Sequence, residues 1–326
     1  METKVLIIGA NGQLGSVLTK TLRNKFGGKN VIASDLIMQE NSEGIFEEID
    51  ATDICRIQEV VVQYSITQIY HLAAILSAKG EENPLSTWEI NMKTLFNVLE
   101  VSRKNSIDKV FFPSSIAVYG EDAPLENTPN DAYLNPATVY GISKAAGENW
   151  AYYYFIKYGL DVRSIRYPGV IGYQSLPGGG TTDYAVDIYH KAVLEEEFSC
   201  FLNEDTTLPM IFMEDVIRAT IELMDTPIEN ITVRTSYNVS GISFSPSEVV
   251  AEIRKLYPDF SVNYKPDFRQ DIAARWPKSI DDSRAAKDWG WKSEYTLEDI
   301  TIIMIHKLKE QYELNSKHLE TLLHRN

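Results

Sequence analysis

The chain has 326 residues, 44% of them hydrophobic, and a formal net charge of -15. This length and composition allow a full buried core, either in one large α/β unit or in two unequal domains. The excess of acidic residues argues against nucleic acid and anionic membranes as partners, because phosphate binding requires clustered Lys and Arg. The amino-terminal stretch is too polar for a signal sequence and no run reaches the roughly 20 apolar residues of a membrane span, so we expect a cytoplasmic protein.

Apolar runs and longer amphipathic segments alternate through the first half of the chain. Strands are expected at residues 4–8, 30–34, 68–72, 109–113 and 162–168, and helices at residues 12–25, 53–63, 84–104 and 137–158. Continuous apolar strands joined by crossover helices predict an α/β fold with a doubly wound parallel sheet that is covered on both faces.

Beyond residue 170 the regular alternation ends. Helices are expected at residues 182–196, 214–225, 245–256 and from 296, and short strands at residues 198–201 and 210–213. The change of pattern predicts a larger parallel-sheet domain formed by residues 1–170 with 211–240. A smaller mixed α/β domain is expected from residues 171–210 with 241–326.

Three glycines, Gly9, Gly12 and Gly15, follow the first expected strand and open the first helix. Glycine allows a tight turn and the close approach of a pyrophosphate, and the helix N-terminus supplies free N–H groups. Asp35 ends the second strand, where a carboxylate can accept hydrogen bonds from ribose hydroxyls and would repel a 2′-phosphate. The cofactor is therefore expected to be NAD rather than NADP. Asp50, further along the chain, is a candidate for the adenine amino group, although a simple turn role fits its spacing equally well.

Tyr140 and Lys144 lie four residues apart, on one face of an expected helix. A nearby cation is expected to lower the pKa of a tyrosine from about 10 towards neutrality, which makes the phenol a usable acid and base. Ser115 lies at the carboxyl end of a strand, where such sheets bind ligands, and can orient a substrate oxygen toward Tyr140. Ser114 is a second candidate for that contact, although strand-end hydroxyls are often structural.

These motifs resemble those of the extended short-chain dehydrogenase/reductase family, in which "GANGQLG", "HLAA", Asn91, Ser115, "YGISK" and "RYPGVIG" occur in the same order. The resemblance implies a Rossmann fold that binds NAD, with Lys144 on the nicotinamide ribose. The expected cofactor-binding residues are Gly9, Asn11, Gly12, Gln13, Leu14, Gly15, Asp35, Asp50, Ala51, Leu72, Ala73, Ala74, Asn91, Tyr140, Lys144, Tyr167 and Ile171.

Two enzyme classes use this machinery: nucleotide-sugar epimerases or dehydratases, and simple dehydrogenases. The sequence of the second domain must distinguish between them. Nucleotide-sugar members typically carry an Arg-Asp pair where this chain has Leu208 and Pro209. A diphosphate is normally held by Arg, so the departure argues against that substrate class. The stretch "GGGTTD" places Thr181 and Thr182 at a helix start, which predicts a neutral site for one carboxylate. A flexible loop with a threonine cap is the alternative.

Longer segments across nearly the whole chain closely resemble the short-chain L-threonine 3-dehydrogenases. They are "HLAAILSAKGEENP", "PSSIAVYG", "SLPGGGTTDYAVDIYHKA", "LPMIFMEDVIRATIELM" and "DFRQDIAARWPKSIDDSRAAKDWGW". This resemblance implies NAD-dependent oxidation of the L-threonine 3-hydroxyl to 2-amino-3-ketobutyrate. It implies that Ser115, Tyr140 and Lys144 are catalytic. The expected substrate-binding residues are Ser77, Ser114, Ser115, Tyr140, Gly180, Thr181, Thr182 and Trp276.

Further expectations follow from the same resemblance. The helices that carry Asn91 and Tyr140 are expected to pack into a four-helix bundle between two copies, giving a homodimer. Trp276 could equally be a packing anchor, and the glycine run at 178–180 is a candidate hinge. No metal is expected, because the two cysteines and five histidines show no paired ligand spacing. A non-catalytic NAD-binding redox sensor is the rival from another class, and the retained catalytic trio argues against it.

Overall fold

The structure of the protein is a computed structural model, which describes residues 2–39, 43–178 and 180–323, with residues 315–323 as backbone only. Gly179, within the expected hinge, lies outside the described residues. The strands are β1 (Val5–Ile8), β2 (Val31–Asp35), β3 (Phe46–Glu48), β4 (Gln68–His71), β5 (Lys109–Ser115), β6 (Val162–Tyr167), β7 (Gly169–Ile171), β8 (Phe198–Cys200), β9 (Leu208–Phe212), β10 (Tyr237–Asn238), β11 (Ile242–Phe244) and β12 (Val262–Tyr264). The helices are α1 (Gln13–Phe26), α2 (Ile54–Tyr64), α3 (Ser77–Gly80), α4 (Pro84–Lys104), α5 (Val139–Tyr158), α6 (Tyr184–Val193), α7 (Met213–Asp225), α8 (Pro246–Arg254), α9 (Phe268–Ala273), α10 (Ser283–Trp289) and α11 (Leu297–Leu323).

A seven-stranded parallel sheet forms the larger part of the molecule, in the order β10-β6-β5-β4-β1-β2-β3. The apolar strands need cover on both faces, and helices supply it. Residues of α1 and α7 pack on one face, and residues of α2, α4 and α5 pack on the other. The predicted doubly wound α/β fold class is confirmed.

A second core lies beside the large sheet. Its strands form a three-stranded sheet, β11-β9-β7, and a parallel pair, β12-β8. Helices α6, α8 and α11 pack their apolar residues against these strands. Helix α8 begins at a complete capping box, in which Ser245 and Glu248 satisfy each other's backbone N–H groups. The division into residues 1–170 with 211–240 and 171–210 with 241–326 stays a prediction.

Differences from the expected elements concern short segments. Strand β6 ends at Tyr167 because Pro168 has no N–H to continue the ladder. Strand β5 extends past the expected end at residue 113 and includes both Ser114 and Ser115. The short elements β7, β11, β12, α3, α9 and α10 were not expected, because three to seven residues show no clear periodicity. None of the helices in the described ranges has the length and apolar character that crossing a bilayer requires.

The turn between β1 and α1 lies where the strand order changes direction, between β1 and β4. Gly9 has a φ of +93°, and a Cβ there would lie 2.7 Å from the backbone nitrogen of Ala73. A Cβ on Gly15 would lie 2.1 Å from the carbonyl oxygen of Gly9. Both positions therefore require glycine, because the helix, the turn and the loop after β4 approach within backbone contact.

Replacement of Gly15 by Ala should lower the free energy of unfolding by about 1–3 kcal/mol, because the added methyl group overlaps backbone atoms that cannot move independently. Gly28→Ala is the matched control, since a Cβ at that position meets no atom within 4 Å. Urea unfolding of both variants measures the difference. Equal stability of the two variants would contradict the close approach of α1 to the turn.

Candidate active site

A groove follows the carboxyl-terminal edge of the large sheet. One part is a cavity of about 270 Å³, and the other is a cavity of about 310 Å³ beside the ends of β2 and β3. Both are lined by Gly9, Gly12, Leu72 and Ala74, so they meet at the glycine-rich turn. The position agrees with the general rule that doubly wound sheets bind ligands where the strand order reverses.

The structure brings most of the predicted site residues to these cavities. The first cavity is lined by the predicted residues Gly9, Gly12, Gln13, Leu14, Gly15, Leu72, Ala74, Ser77, Ser115, Tyr140, Tyr167, Gly180, Thr181, Thr182 and Trp276. The second is lined by the predicted residues Gly9, Gly12, Asp35, Asp50, Ala51, Leu72, Ala73 and Ala74. The predicted residues that line neither cavity are Asn11, Asn91, Ser114, Lys144 and Ile171.

The glycine-rich turn fits the pyrophosphate of a dinucleotide. Helix α1 starts at Gly12 without a side-chain cap and without an acidic residue in its first turn. Its free N–H groups and the dipole of a 14-residue helix favour an anion at this end. Asp35, at the end of β2, accepts hydrogen bonds from the backbone nitrogens of Asn11 (2.9 Å) and Leu36 (2.8 Å). These bonds fix its carboxylate at the wall of the second cavity.

Asn91 holds the loop that separates the two cavities. Its Oδ1 accepts a hydrogen bond from the backbone nitrogen of Ile75 (2.8 Å), and its Nδ2 donates to the carbonyl oxygen of the same residue (3.1 Å). Nδ2 also lies 3.3 Å from the hydroxyl of Ser143 on α5. The amide of Asn91 is therefore buried and hydrogen-bonded within the protein, and it affects the groove by positioning the loop after β4.

Tyr140, Ser115 and Lys144 meet at the inner end of the first cavity. Helix α5 begins after Thr138, whose hydroxyl accepts a hydrogen bond from the backbone nitrogen of Gly141. The Tyr140 phenol lines the cavity and forms a hydrogen bond with Ser115. The Lys144 amine lies behind it, 5.5 Å from the centre of the Tyr140 ring, and donates to the carbonyl oxygen of Pro113 at 2.8 Å.

The acid–base properties of this pair differ from the expectation. Burial raises the pKa of Tyr140 to about 12, and the hydrogen bond with Ser115 opposes that rise. Burial also lowers the pKa of Lys144 to about 7, against the attraction of the Glu148 carboxylate. The expected lowering of the Tyr140 pKa is therefore wrong for this structure, because removing both groups from water disfavours the charged form of each.

The outer end of the first cavity is formed by the residues of "GGGTTD" and by Trp276. Thr181 is buried, and its hydroxyl has no hydrogen-bond partner among the described residues. A buried polar atom without a partner is costly, so this hydroxyl is suited to bind a ligand. Trp276 is also buried and lines the same cavity.

Asp183 was missed by the sequence reasoning and changes the electrostatics of this end. It lines the cavity, and its Oδ2 accepts a hydrogen bond from the backbone nitrogen of Gly180 at 2.8 Å. The predicted neutrality of the "GGGTTD" site is therefore wrong, because Asp183 brings a carboxylate to its wall. The signal was present in the sequence, since Asp183 directly follows the two threonines.

Two further predicted contacts have other surroundings. Ser114 is buried, and its hydroxyl donates to Glu148 at 2.5 Å, on the face of the sheet that α5 covers. Alternation along β5 thus turns Ser114 away from the cavity that Ser115 lines. Ile171 is fully buried in the core formed by β7 and its neighbours.

The segment in which nucleotide-sugar enzymes carry their Arg-Asp pair is a buried strand here. Leu208 and Pro209 lie in β9, both buried, and pair with β11. Arg218, which follows in α7, donates to Asp215 at 2.6 Å and stacks over the ring of Trp291. Among the described residues that line the first cavity there is no Lys or Arg. This wall therefore offers no cation to a diphosphate.

The chain is similar to known proteins over most of its length. The family described as NAD dependent epimerase/dehydratase matches residues 5–240. Bovine mitochondrial L-threonine 3-dehydrogenase is 43% identical over 309 residues, covering 94% of this chain and 82% of that protein. The solved holo form of an L-threonine dehydrogenase from Cupriavidus necator is 50% identical, with a TM-score of 0.92 and coverage of 94% and 100%. A monomeric L-threonine 3-dehydrogenase from a metagenome database, solved in its apo form, is 47% identical, with a TM-score of 0.92 and coverage of 94% and 99%. The resemblances predicted from the sequence are confirmed.

Proposed function

The chain belongs to the NAD dependent epimerase/dehydratase family, and we propose that, as an oxidoreductase of that family, it oxidises the 3-hydroxyl of L-threonine to 2-amino-3-ketobutyrate with NAD as acceptor. The observation that carries the proposal is the shape of the first cavity. It joins the hydrogen-bonded pair Tyr140 and Ser115 to the unpartnered hydroxyl of Thr181, with no lysine or arginine among its described lining residues. Such a cavity suits a small polar molecule.

In this proposal Tyr140 is the general base. Ser115 holds the substrate oxygen, and the Tyr140 phenolate takes the proton from the substrate hydroxyl. The Lys144 ammonium favours the phenolate from behind, through its charge and its fixed position on Pro113. When bound, NAD would supply the hydride acceptor and a positive charge that also favours the phenolate. The outer end of the cavity would hold C3 of the substrate in a fixed orientation toward the nicotinamide ring.

The outer end would recognise the amino acid by its two charges. The Thr181 hydroxyl, the Thr182 hydroxyl and nearby backbone N–H groups would hold the carboxylate. The Asp183 carboxylate would attract the ammonium group, which a 3-hydroxy acid lacks. Gly180–Asp183 and Trp276 come from residues 171–210 and 241–326, and this supports the proposed division into a cofactor domain and a substrate domain.

A nucleotide-sugar epimerase is the alternative from the same family. The buried strand at Leu208 and Pro209 disfavours it, because it supplies no arginine for a diphosphate. NAD is proposed over NADP because the Asp35 carboxylate, fixed beside the second cavity, would repel a 2′-phosphate.

The purified protein should form NADH when L-threonine and NAD are supplied, and Tyr140→Phe should lower kcat by about 10²–10⁴-fold, because the variant has no base. Absorbance at 340 nm measures the rate, with NADP and UDP-sugars assayed in parallel. NADH affinity should change little in the variant, since the ring remains. Substantial turnover by Tyr140→Phe would exclude the proposed base, and activity on UDP-sugars alone would favour the epimerase.

Thr181→Val should raise the KM for threonine by about tenfold or more, because it removes a hydroxyl that would bind a charged carboxylate. The KM for NAD should stay within twofold. Thr19→Val is the matched control, since the Thr19 hydroxyl is also buried without a described partner but lies in α1, away from both cavities. An equal effect on both KM values, or none, would indicate that the loop containing Thr181 has only a structural role.

We also propose that two copies form a homodimer through α4 and α5, which pack against each other along the outside of the large sheet. Large apolar side chains on these helices are exposed, including Leu85 at 86% and Ile156 at 60%. Trp88, Ile142 and Trp150 are also among the exposed apolar residues of the two helices. Monomers rarely expose so much apolar surface in one place. A second pair of the same helices would cover it as a four-helix bundle.

Sedimentation equilibrium should give twice the mass of one chain. Ile156→Glu should shift the protein to monomers, because a charge would then be buried in the interface. Ile302→Glu on α11 is the control, as Ile302 is 52% exposed on another helix. A monomeric wild type, as in the metagenome relative, would reject this assembly without affecting the proposed reaction.

A further inference from the structure

Glu148 lies two helical turns beyond Tyr140 and one beyond Lys144, on the same face of α5. It is completely buried. Its Oε1 accepts hydrogen bonds from the hydroxyl of Ser114 (2.5 Å) and from Nε of Arg166 (2.9 Å). Its Oε2 accepts a second bond from the Arg166 guanidinium at 2.7 Å. The carboxylate is thus held by a two-pronged arginine contact and one hydroxyl.

Arg166 is anchored equally well on its other side. Its Nη1 donates to the hydroxyl of Tyr119 and to the carbonyl oxygen of Asn130, both at 2.7 Å. Tyr119 donates in turn to Asn238. Arg166 and Ser114 are also direct neighbours across β5 and β6. Glu148 therefore has no freedom to move toward Lys144 or away from it.

Two cations, Lys144 and Arg166, are buried at this end of α5. Lys144 faces Tyr140 and Glu148 from its own helix, the carbonyl oxygen of Pro113 from β5, and His71 from β4. Burial and the charge of Lys144 lower the pKa of His71 to about 3, so this imidazole is neutral. Glu148 is then the carboxylate that acts on both buried cations, as the ion-pair partner of Arg166 and as a nearby opposite charge for Lys144, and it offsets one of their two charges.

We infer that Glu148 is the fixed carboxylate that keeps the buried Lys144 side chain charged, and that it acts on the reaction as a positioning residue. The kinetic part of this inference rests on the proposed function. The Glu148 carboxylate raises the pKa of Lys144 against the larger effect of burial. Without the carboxylate, the buried amine would lose its proton more readily.

A second buried ion pair, whose arginine lies on the same strand β6 as Arg166, provides a control. Arg163 and Asp161 form a contact of 2.7 Å, with side chains 0% and 5% exposed. Arg166 and Glu148 also form a contact of 2.7 Å, with side chains 3% and 0% exposed. Arg163 and Asp161 lie at the opposite end of β6 from the cavity. Loss of either carboxylate leaves a buried arginine without its partner, so both variants should lose thermal stability.

The decisive measurement is the titration of Lys144 in the full chain. Protein labelled with ¹³C at lysine Cε is titrated by NMR, and Lys144→Met identifies the signal. Glu148→Gln should lower the pKa of Lys144 by about one unit or more, because an adjacent opposite charge is lost. Asp161→Asn should leave the Lys144 titration unchanged. Equal shifts in both variants, or no shift in Glu148→Gln, would overturn the inference.

Kinetics test the consequence for catalysis. Glu148→Gln should lower kcat for threonine at least tenfold near neutral pH, with NADH affinity and the KM for threonine within twofold. Asp161→Asn should keep kcat within twofold. Glu148→Asp retains the charge and should restore the Lys144 titration more than half of the way to the wild type. Glu148→Asp is also the test variant if Glu148→Gln does not fold. A fall in the Lys144 pKa in Glu148→Asp as large as the one expected for loss of the charge would contradict the inference.

The two proposals fail in different ways. If the wild type does not oxidise threonine, the proposed function fails, while the NMR titration still tests the effect of Glu148 on Lys144. If the wild type oxidises threonine but Glu148→Gln retains full kcat and an unchanged Lys144 titration, the proposed function stands and Glu148 is structural only.

Discussion

The parallel alignment of the central strands is the constraint on which the site depends. Because β1, β4, β5 and β6 run in one direction, their carboxyl ends lie at one edge of the sheet. That edge carries Gly9 after β1, the loop after β4 and Ser115 at the end of β5. Backbone pairing therefore gathers groups that are far apart in the chain, and the crossover helices add α1 with its open N-terminus and α5 with Tyr140.

Much of this arrangement could be predicted from the sequence, and the reasons are local. Gly9, Gly12 and Gly15 follow an apolar run directly, and Tyr140 and Lys144 have helical spacing, so nearest neighbours in sequence are enough to predict them. The Lys144 pKa and the surroundings of Ser114 could not be predicted in this way. The Lys144 pKa is lowered mainly by burial, with Glu148 opposing the fall, and Ser114 donates to the same Glu148 carboxylate, which pairs with Arg166. These groups come together only when α5 packs on β5 and β6. Asp183 was visible in the sequence, but only the fold shows that its carboxylate lines the cavity.

The two ends of the first cavity place different demands on their residues. At the inner end, Lys144 donates to the carbonyl oxygen of Pro113, Tyr140 bonds to Ser115, and the chemistry depends on which of Tyr140 and Lys144 is charged. At the outer end, Thr181 has a buried hydroxyl without a partner among the described residues, which is a cost in the folded protein that a ligand can remove. Reactivity and recognition are therefore separated along one cavity, and variants at either end should change different kinetic constants.

The Lys144 amine is bound to the main chain rather than to a side chain, since its acceptor is the carbonyl oxygen of Pro113. Strand β5 continues to Ser115 in its pairing with β6, whereas its pairing with β4 ends at Phe111. The last residues of β5 therefore lie beyond the end of one neighbouring strand. Every amino acid has a carbonyl group, so substitution of residue 113 would not by itself delete the acceptor. The acceptor of the lysine is thus insensitive to the side chain at residue 113, whereas an insertion or deletion that shifts the strand would move it.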